Sequence, residues 1–199
     1  MSDPRTIAVY DAKAGEYAKL VMTSRPNTDL QAFIDLIPAG GRVLDLGCGP
    51  ATASAHMRAA GLDPDPVDAS GAMVALANDT YGIKARQASF DDLDAVGAYA
   101  GVWANFSLLH APRADLPWHL GAIHRALIPG GVFHIGMKIG TGEGRDLIDR
   151  LYTYVGVAEL QELLTTTGFQ LLATREGVDT GLSGSIDPFV ICLTRKPDA

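Results

Sequence analysis

VLDLGCGPATAS, residues 43–54, joins an apolar run to a glycine-punctuated loop and then to small helix formers. Residues 42–46, RVLDL, read as a short strand buried in a sheet, because they follow the breaker PAGG (38–41) and are mostly apolar. Gly47 and Gly49 permit a tight turn. ATASAHMRAAG then reads as a helix closed by Gly61. A strand that turns through glycines straight into a helix is the first half of a βαβ unit, and ligands of such sheets gather at the carboxyl ends of the strands.

Working outward, the alternation continues on both sides. A helix of modest periodicity covers about Ile7 to Met22, and Arg25-Pro26-Asn27 breaks it. Thr28 reads as the N-cap of TDLQAFIDLIP, whose Leu30, Phe33, Ile34 and Ile37 share one face. A weak strand near Asp65 to Val67 is followed by a helix over Gly71 to Asn78 and by the strand IKARQA (83–88). AGVWANFS (100–107) is a strand, Arg113 to Leu127 a helix, and GVFHIGMK (131–138) the next strand. The helix VAELQELLTTTG leads into the strand FQLLATRE (169–176), and a Gly/Ser loop precedes the last strand, FVICLTR (189–195). The expected fold is α/β: a Rossmann-like, seven-stranded, mostly parallel sheet with one antiparallel edge strand and helices on both faces. Pro64 and Pro66 each lack a backbone donor, so either the second strand is only two or three residues long or its proline side faces no partner.

The totals narrow the function. At 199 residues the chain fits one domain, 1–199, with residues 1–27 as an N-terminal helical lid segment. A net charge of -7, with no basic block, argues against nucleic acid as the main partner, since such binding rests on phosphate neutralisation. Cys48 and Cys192 are far apart, no His/Asp/Glu cluster has metal-ligand spacing, and no apolar run is long enough to span a bilayer. The expectation is a cytoplasmic monomer or homodimer with reduced thiols, no metal and a small-molecule partner.

Three ligands suit a glycine turn after a strand: a dinucleotide, a phosphate or S-adenosylmethionine. Gly47-Cys48-Gly49-Pro50-Ala51-Thr52 lacks the third glycine of the dinucleotide fingerprint, and no Gly-Lys-Ser/Thr follows. Asp45, two residues before Gly47, repels pyrophosphate but accepts hydrogen bonds from an ammonium group. Asp68 ends the next strand about 20 residues on, the position that binds ribose hydroxyls in nucleotide-binding sheets. A ligand with an ammonium, a carboxylate and a ribose fits best.

These features, over roughly residues 40 to 195, resemble the class I S-adenosylmethionine-dependent methyltransferases, in particular the small methyltransferase-11 type. VLDLGCGP is similar to the family's first motif, PVDASGAMVALA (66–77) to its second, and RALIPGGVF (125–133) to its turn before the fifth strand. The resemblance implies that Asp45, Gly47 and Gly49 contact the methionine part of the cofactor, with Cys48 supplying backbone. It implies that Asp68 takes the ribose, with Ala69 and Met73 against adenine; the alternative for Met73 is a plain core residue. ASFDDL (88–93) departs from the pattern: Ser89 stands where relatives have an acid for the adenine amino group, the Phe90 amide can reach the ring, and Asp91 is an alternative.

Chemistry is less legible. Methyl transfer from a sulfonium needs positioning and exclusion of water, and a base only if the acceptor must lose a proton. The resemblance places Asn105 and Phe106 of ANFSLLHAPR (104–113) at the methionine and methyl region. His110 beyond them is the candidate base, or else packs the following helix, while His119 and His124 read as structural. Lys138 and Arg145 of MKIGTGEGR (137–145) either grip an anionic acceptor or lie in a solvated loop. Tyr10 and Tyr17 in YDAKAGEY (10–17) match aromatics that cover the cofactor in similar proteins, or else merely pack the helix. Two rivals stay open: a non-catalytic binding protein that keeps the cofactor residues, and an NAD-binding oxidoreductase, which the missing third glycine disfavours.

Overall fold

The computed structural model describes residues 3–198; Met1, Ser2 and Ala199, at the ends of the expected domain, lie outside it. The chain runs α1 (Pro4–Val21), α2 (Thr28–Ile34), β1 (Arg42–Leu46), α3 (Thr52–Ala59), β2 (Asp63–Asp68), α4 (Gly71–Tyr81), β3 (Arg86–Gln87), β4 (Tyr99–Asn105), α5 (Leu116–Ala126), β5 (Leu127–Lys138), β6 (Glu143–Arg145), β7 (Leu151–Thr153), α6 (Val157–Thr167), β8 (Gln170–Thr180) and β9 (Ile186–Arg195). Seven strands form one sheet in the order β3-β2-β1-β4-β5-β9-β8, all parallel except β9. The antiparallel pairing falls at the expected end of the sheet, with β9 between β5 and the outermost strand β8. Strand order reverses between β1 and β4, which opens a crevice at their carboxyl ends.

Alternation along the central strands divides the core in two. Leu44, Leu46, Val102 and Ala104 pack with α5 and α6, whereas Val43 and Trp103 pack with Phe33 of α2 and Met57 of α3. Asp45 has the same parity as Val43. It therefore points at α3, where Ser54 meets it.

The structure corrects several local expectations. Asn27, not Thr28, caps α2, its side chain accepting from the Leu30 amide at 2.9 Å. The third strand shrinks to Arg86–Gln87. MKIGTGEGR is no plain loop but leads into a hairpin of β6 and β7. Strand β2 is a full six residues despite its prolines. The Asp63 amide and the Val67 carbonyl bond toward β1, so Pro64 and Pro66 face the opposite side, where β3 reaches only Val67 and Asp68. No ladder donor is lost.

Close approach of β4 to the first loop explains one glycine. Gly47 has φ +78°, and a Cβ there would lie 2.4 Å from Ser107 Cβ. Ser107 is fixed because its hydroxyl donates to the Leu46 carbonyl at 2.6 Å. Gly47→Ala is therefore expected to lower unfolding free energy by about 2 kcal/mol, combining backbone strain with overpacking. A denaturant melt that matches wild type would contradict this contact.

Candidate active site

A cavity of about 580 Å³ lies over the carboxyl ends of β1, β2 and β4, beneath α1. At one end the first loop builds a cradle. Asp45 is 2% exposed, accepts from Ser54 Oγ at 2.7 Å and has its carboxyl pushed up to about 7, chiefly by burial. Asp68 accepts from the Gly49 amide at 2.8 Å and the Ser70 amide at 2.9 Å; burial raises its pKa despite those bonds. Two carboxyl groups are thus held by neutral groups, with no ion-pair partner among the described residues. Such a pair repels phosphate and attracts a cationic or hydroxyl-rich ligand.

Helix α3 opens into the same cradle. Ala51 at its N-cap sits at φ 59° and supplies no capping side chain. Thr52 Oγ1, on the cavity wall, is buried with no hydrogen-bond partner. A buried hydroxyl without a partner at a helix N-terminus fits a carboxylate ligand. Ala69, Met73 and Phe90 line the far side, and Met73 is also 1% exposed, so its core and lining roles coincide. Cys48 lines the loop with a buried thiol whose pKa burial pushes well up. The residues present therefore fit S-adenosylmethionine: Asp45 for its ammonium, Thr52 for its carboxylate and Asp68 for its ribose.

Ser89 is a correction. It does not line the cavity; its amide and hydroxyl both bond Asp92, at 2.7 and 2.9 Å, and cap the short turn Phe90–Asp92. Arg145 is another. It reaches back to Asp3 at 2.8 Å and lies outside the cavity wall. Lys138 does line the cavity, paired with Asp187 and 4.5 Å from the Tyr152 ring centroid.

Helix α1 covers the opening. Tyr17 comes within 3.2 Å of where a Gly49 Cβ would be, and Tyr10 packs edge-on against it at 5.5 Å. Asp11 ties the helix down by accepting from Ser70 Oγ at 2.6 Å and from the Ala72 amide at 3.1 Å. The Tyr10 hydroxyl lies 2.8 Å from His110 Nε2 and receives a bond from Arg150 at 2.8 Å. His110 Nδ1 faces the Leu151 carbonyl at 2.6 Å, so the proton is assigned to Nδ1 and Nε2 accepts from the phenol. Burial lowers the His110 pKa to about 3. The imidazole is neutral with its lone pair occupied, so the general-base expectation gives way to a positioning role for Tyr10. Tyr10→Phe should leave both His110 and Arg150 one partner short and cost about 1 kcal/mol of stability, read as a lowered melting temperature.

Sequence reasoning missed three groups. Arg150 is 2% exposed, pairs with Asp146 at 2.7 Å and lines the cavity. His134 stacks on Trp103 at 3.6 Å and meets Asn105 Oδ1 at 3.0 Å, which fixes the amide orientation of Asn105 at the end of β4. Asp187 comes from the final hairpin. Arg150 belongs to no motif, and His134 and Asp187 act through strand register, so no local signal marked them. Phe106, at φ 55°, is strained where it enters the cavity wall.

An open sheet with this cradle at its switch point is an architecture suited to a nucleoside ligand. Residues 43–131 match the family model described as a methyltransferase domain. No curated protein matches the chain. Among solved structures, a Burkholderia thailandensis 1,6-didemethyltoxoflavin-N1-methyltransferase, with 1,6-didemethyltoxoflavin and S-adenosylhomocysteine bound, is 21% identical with TM-score 0.70, covering 100% of this chain and 92% of that one. A Haloferax volcanii protein in complex with the Trm112 methyltransferase activator is 19% identical with TM-score 0.76, covering 98% of each chain. The cyclase SpnF is 16% identical with TM-score 0.73, covering 100% and 98%. Residues 43–131 are thus similar to a methyltransferase domain, and the whole chain shares the fold of these structures. Because a cyclase shares the fold, the reaction must be argued from the site.

Proposed function

We propose that this protein transfers the methyl group of S-adenosylmethionine to a small-molecule acceptor. The observation that carries the reading is the cradle: buried Asp45 and backbone-held Asp68 flank a loop that a pyrophosphate cannot approach, and Thr52 Oγ1 lacks a partner beside them. Bound there, the cofactor supplies a methyl group already activated on a sulfonium. The chain's own residues then position and exclude: Asp45, Thr52 and Asp68 hold the ligand, Tyr10 and Tyr17 cover it, and Asn105 and Phe106 shape the passage toward the acceptor. A small acceptor is supported by the cavity's confinement under α1 and between β4 and the β8–β9 hairpin, and by the acidic net charge. Among the described residues no helix is long and apolar enough to cross a membrane.

Calorimetric titration with S-adenosylmethionine, S-adenosylhomocysteine and NAD tests the cofactor. We expect the first two to bind and NAD not to; the reverse order would overturn the reading. Formation of S-adenosylhomocysteine across an acceptor panel then separates an enzyme from a non-catalytic binder.

A further inference from the structure

The acceptor end of the cavity has a chemical character of its own. Among the described residues three cationic side chains line the cavity, Lys138, Arg150 and Arg175, and each has a carboxylate partner: Asp187, Asp146 and Asp29. The Lys138 and Asp187 side chains are 12% and 23% exposed, and Asp187 is held further by Ser185 Oγ at 2.8 Å. An anionic acceptor at Lys138 would also face the partly buried Asp187 carboxylate paired to the same ammonium, and that like charge is costly. A ligand that donates to Asp187 and accepts from Lys138 leaves the pair's charge balanced and gains two charge-assisted hydrogen bonds.

The walls beside this pair are aromatic. Tyr152 lies under the Lys138 ammonium, and Phe106 and Phe189 meet edge-on at 5.5 Å. Gly136 pairs with Asn105 across the β4–β5 ladder, and Lys138 is two residues further along β5. That offset spans about 7 Å along a strand, the length of one or two fused rings.

Resting on the methyltransferase reading above, we infer that the acceptor is an uncharged, planar heteroaromatic carrying adjacent N–H and C=O groups, which Asp187 and Lys138 read as a pair while Phe106, Tyr152 and Phe189 hold the ring. Asp187 and Lys138 are specificity-determining residues for that edge. The reacting position of the ring lies at the opposite end, toward Asn105.

Titration of quinazolinedione into protein saturated with S-adenosylhomocysteine tests this by direct binding. The comparison ligands are its N,N′-dimethyl derivative, which lacks the N–H groups, together with naphthoate and naphthylmethylammonium as anionic and cationic controls. We expect quinazolinedione to bind at least tenfold more tightly than any of the three. Lys138→Met and Asp187→Asn, each checked by thermal melting, should reduce that preference at least fivefold while leaving the S-adenosylhomocysteine affinity unchanged. Equal binding of the dimethyl derivative, tighter binding of either charged control, or no quinazolinedione binding would overturn the inference. The cationic control matters because Asp179, at the exposed rim, has no cationic partner among the described residues. Failure of S-adenosylhomocysteine itself to bind would instead strike the methyltransferase reading.

Discussion

Asp68→Ala is expected to weaken S-adenosylhomocysteine binding by about 3 kcal/mol, roughly a hundredfold in Kd, because a charged acceptor of two ribose hydroxyls is lost. The same change should destabilise the ligand-free protein. Asp68 satisfies the amides of Gly49 and Ser70, and so ties the first loop to the start of α4. Removing it leaves both donors without their partner, at about 1–3 kcal/mol in total. Calorimetry gives the first quantity and denaturant unfolding the second. An unchanged Kd would mean that Asp68 does not hold the ribose.

Asp45→Asn should weaken binding too, but with the opposite effect on the empty protein. The Asp45 carboxyl titrates at about 7 in the fold, against a reference value of 3.8. Below the reference value both folded and unfolded chains hold the proton, and the substitution changes little. Between the two values the unfolded chain releases its proton while the folded chain keeps it, so stability falls as pH rises through that window. Above about pH 7 the folded chain carries a buried charge with only Ser54 to meet it. Asparagine removes that charge, and the gain should reach about 3 kcal/mol at pH 8 and nearly vanish at pH 4. Melting temperatures of the two proteins across this range provide the check.

Ligand binding should show the mirror of this effect. An ammonium group favours the ionised carboxylate, so affinity of the wild-type protein for S-adenosylhomocysteine should rise about tenfold from pH 6 to pH 8. Asp45→Asn should flatten that rise and lose about tenfold or more in affinity at pH 8, as a charge-assisted bond becomes a neutral one. A wild-type protein with pH-independent affinity would show that Asp45 is not the ammonium partner, and a variant no more stable than wild type at pH 8 would show that burial does not hold its carboxyl protonated. The site gives up stability for binding, and this variant would display the exchange directly.

The two acids were legible in sequence because their information is local. Asp45 lies two residues from Gly47, Asp68 closes the next strand, and both belong to elements whose periodicity and glycine punctuation mark strand ends. The order of helices and strands was legible for the same reason. Residues whose partners come from distant segments were not. Ser89 and Arg145 stand at positions that suggest ligands, yet Asp92 and Asp3 engage their polar groups. His110 stands where a base is expected, but the phenol of Tyr10, a hundred residues away in the chain, occupies its free nitrogen.

By itself the sequence determined the fold and the nature of the cradle. A strand, a glycine turn and a helix repeated with an acid at each strand end admit few arrangements, and a carboxylate beside the turn selects the charge of the ligand. Only the tertiary structure decided how the prolines of β2 are tolerated, which way Asn105 points, and what the acceptor meets. Those depend on register and on packing across the sheet. The facing of Pro64 and Pro66 follows from how β2 pairs with β1 and β3, the orientation of Asn105 from His134 on β5, and the Lys138–Asp187 pair from the antiparallel seating of β9. A one-residue slip would turn each of these side chains to the opposite face, and no short window of sequence encodes that choice.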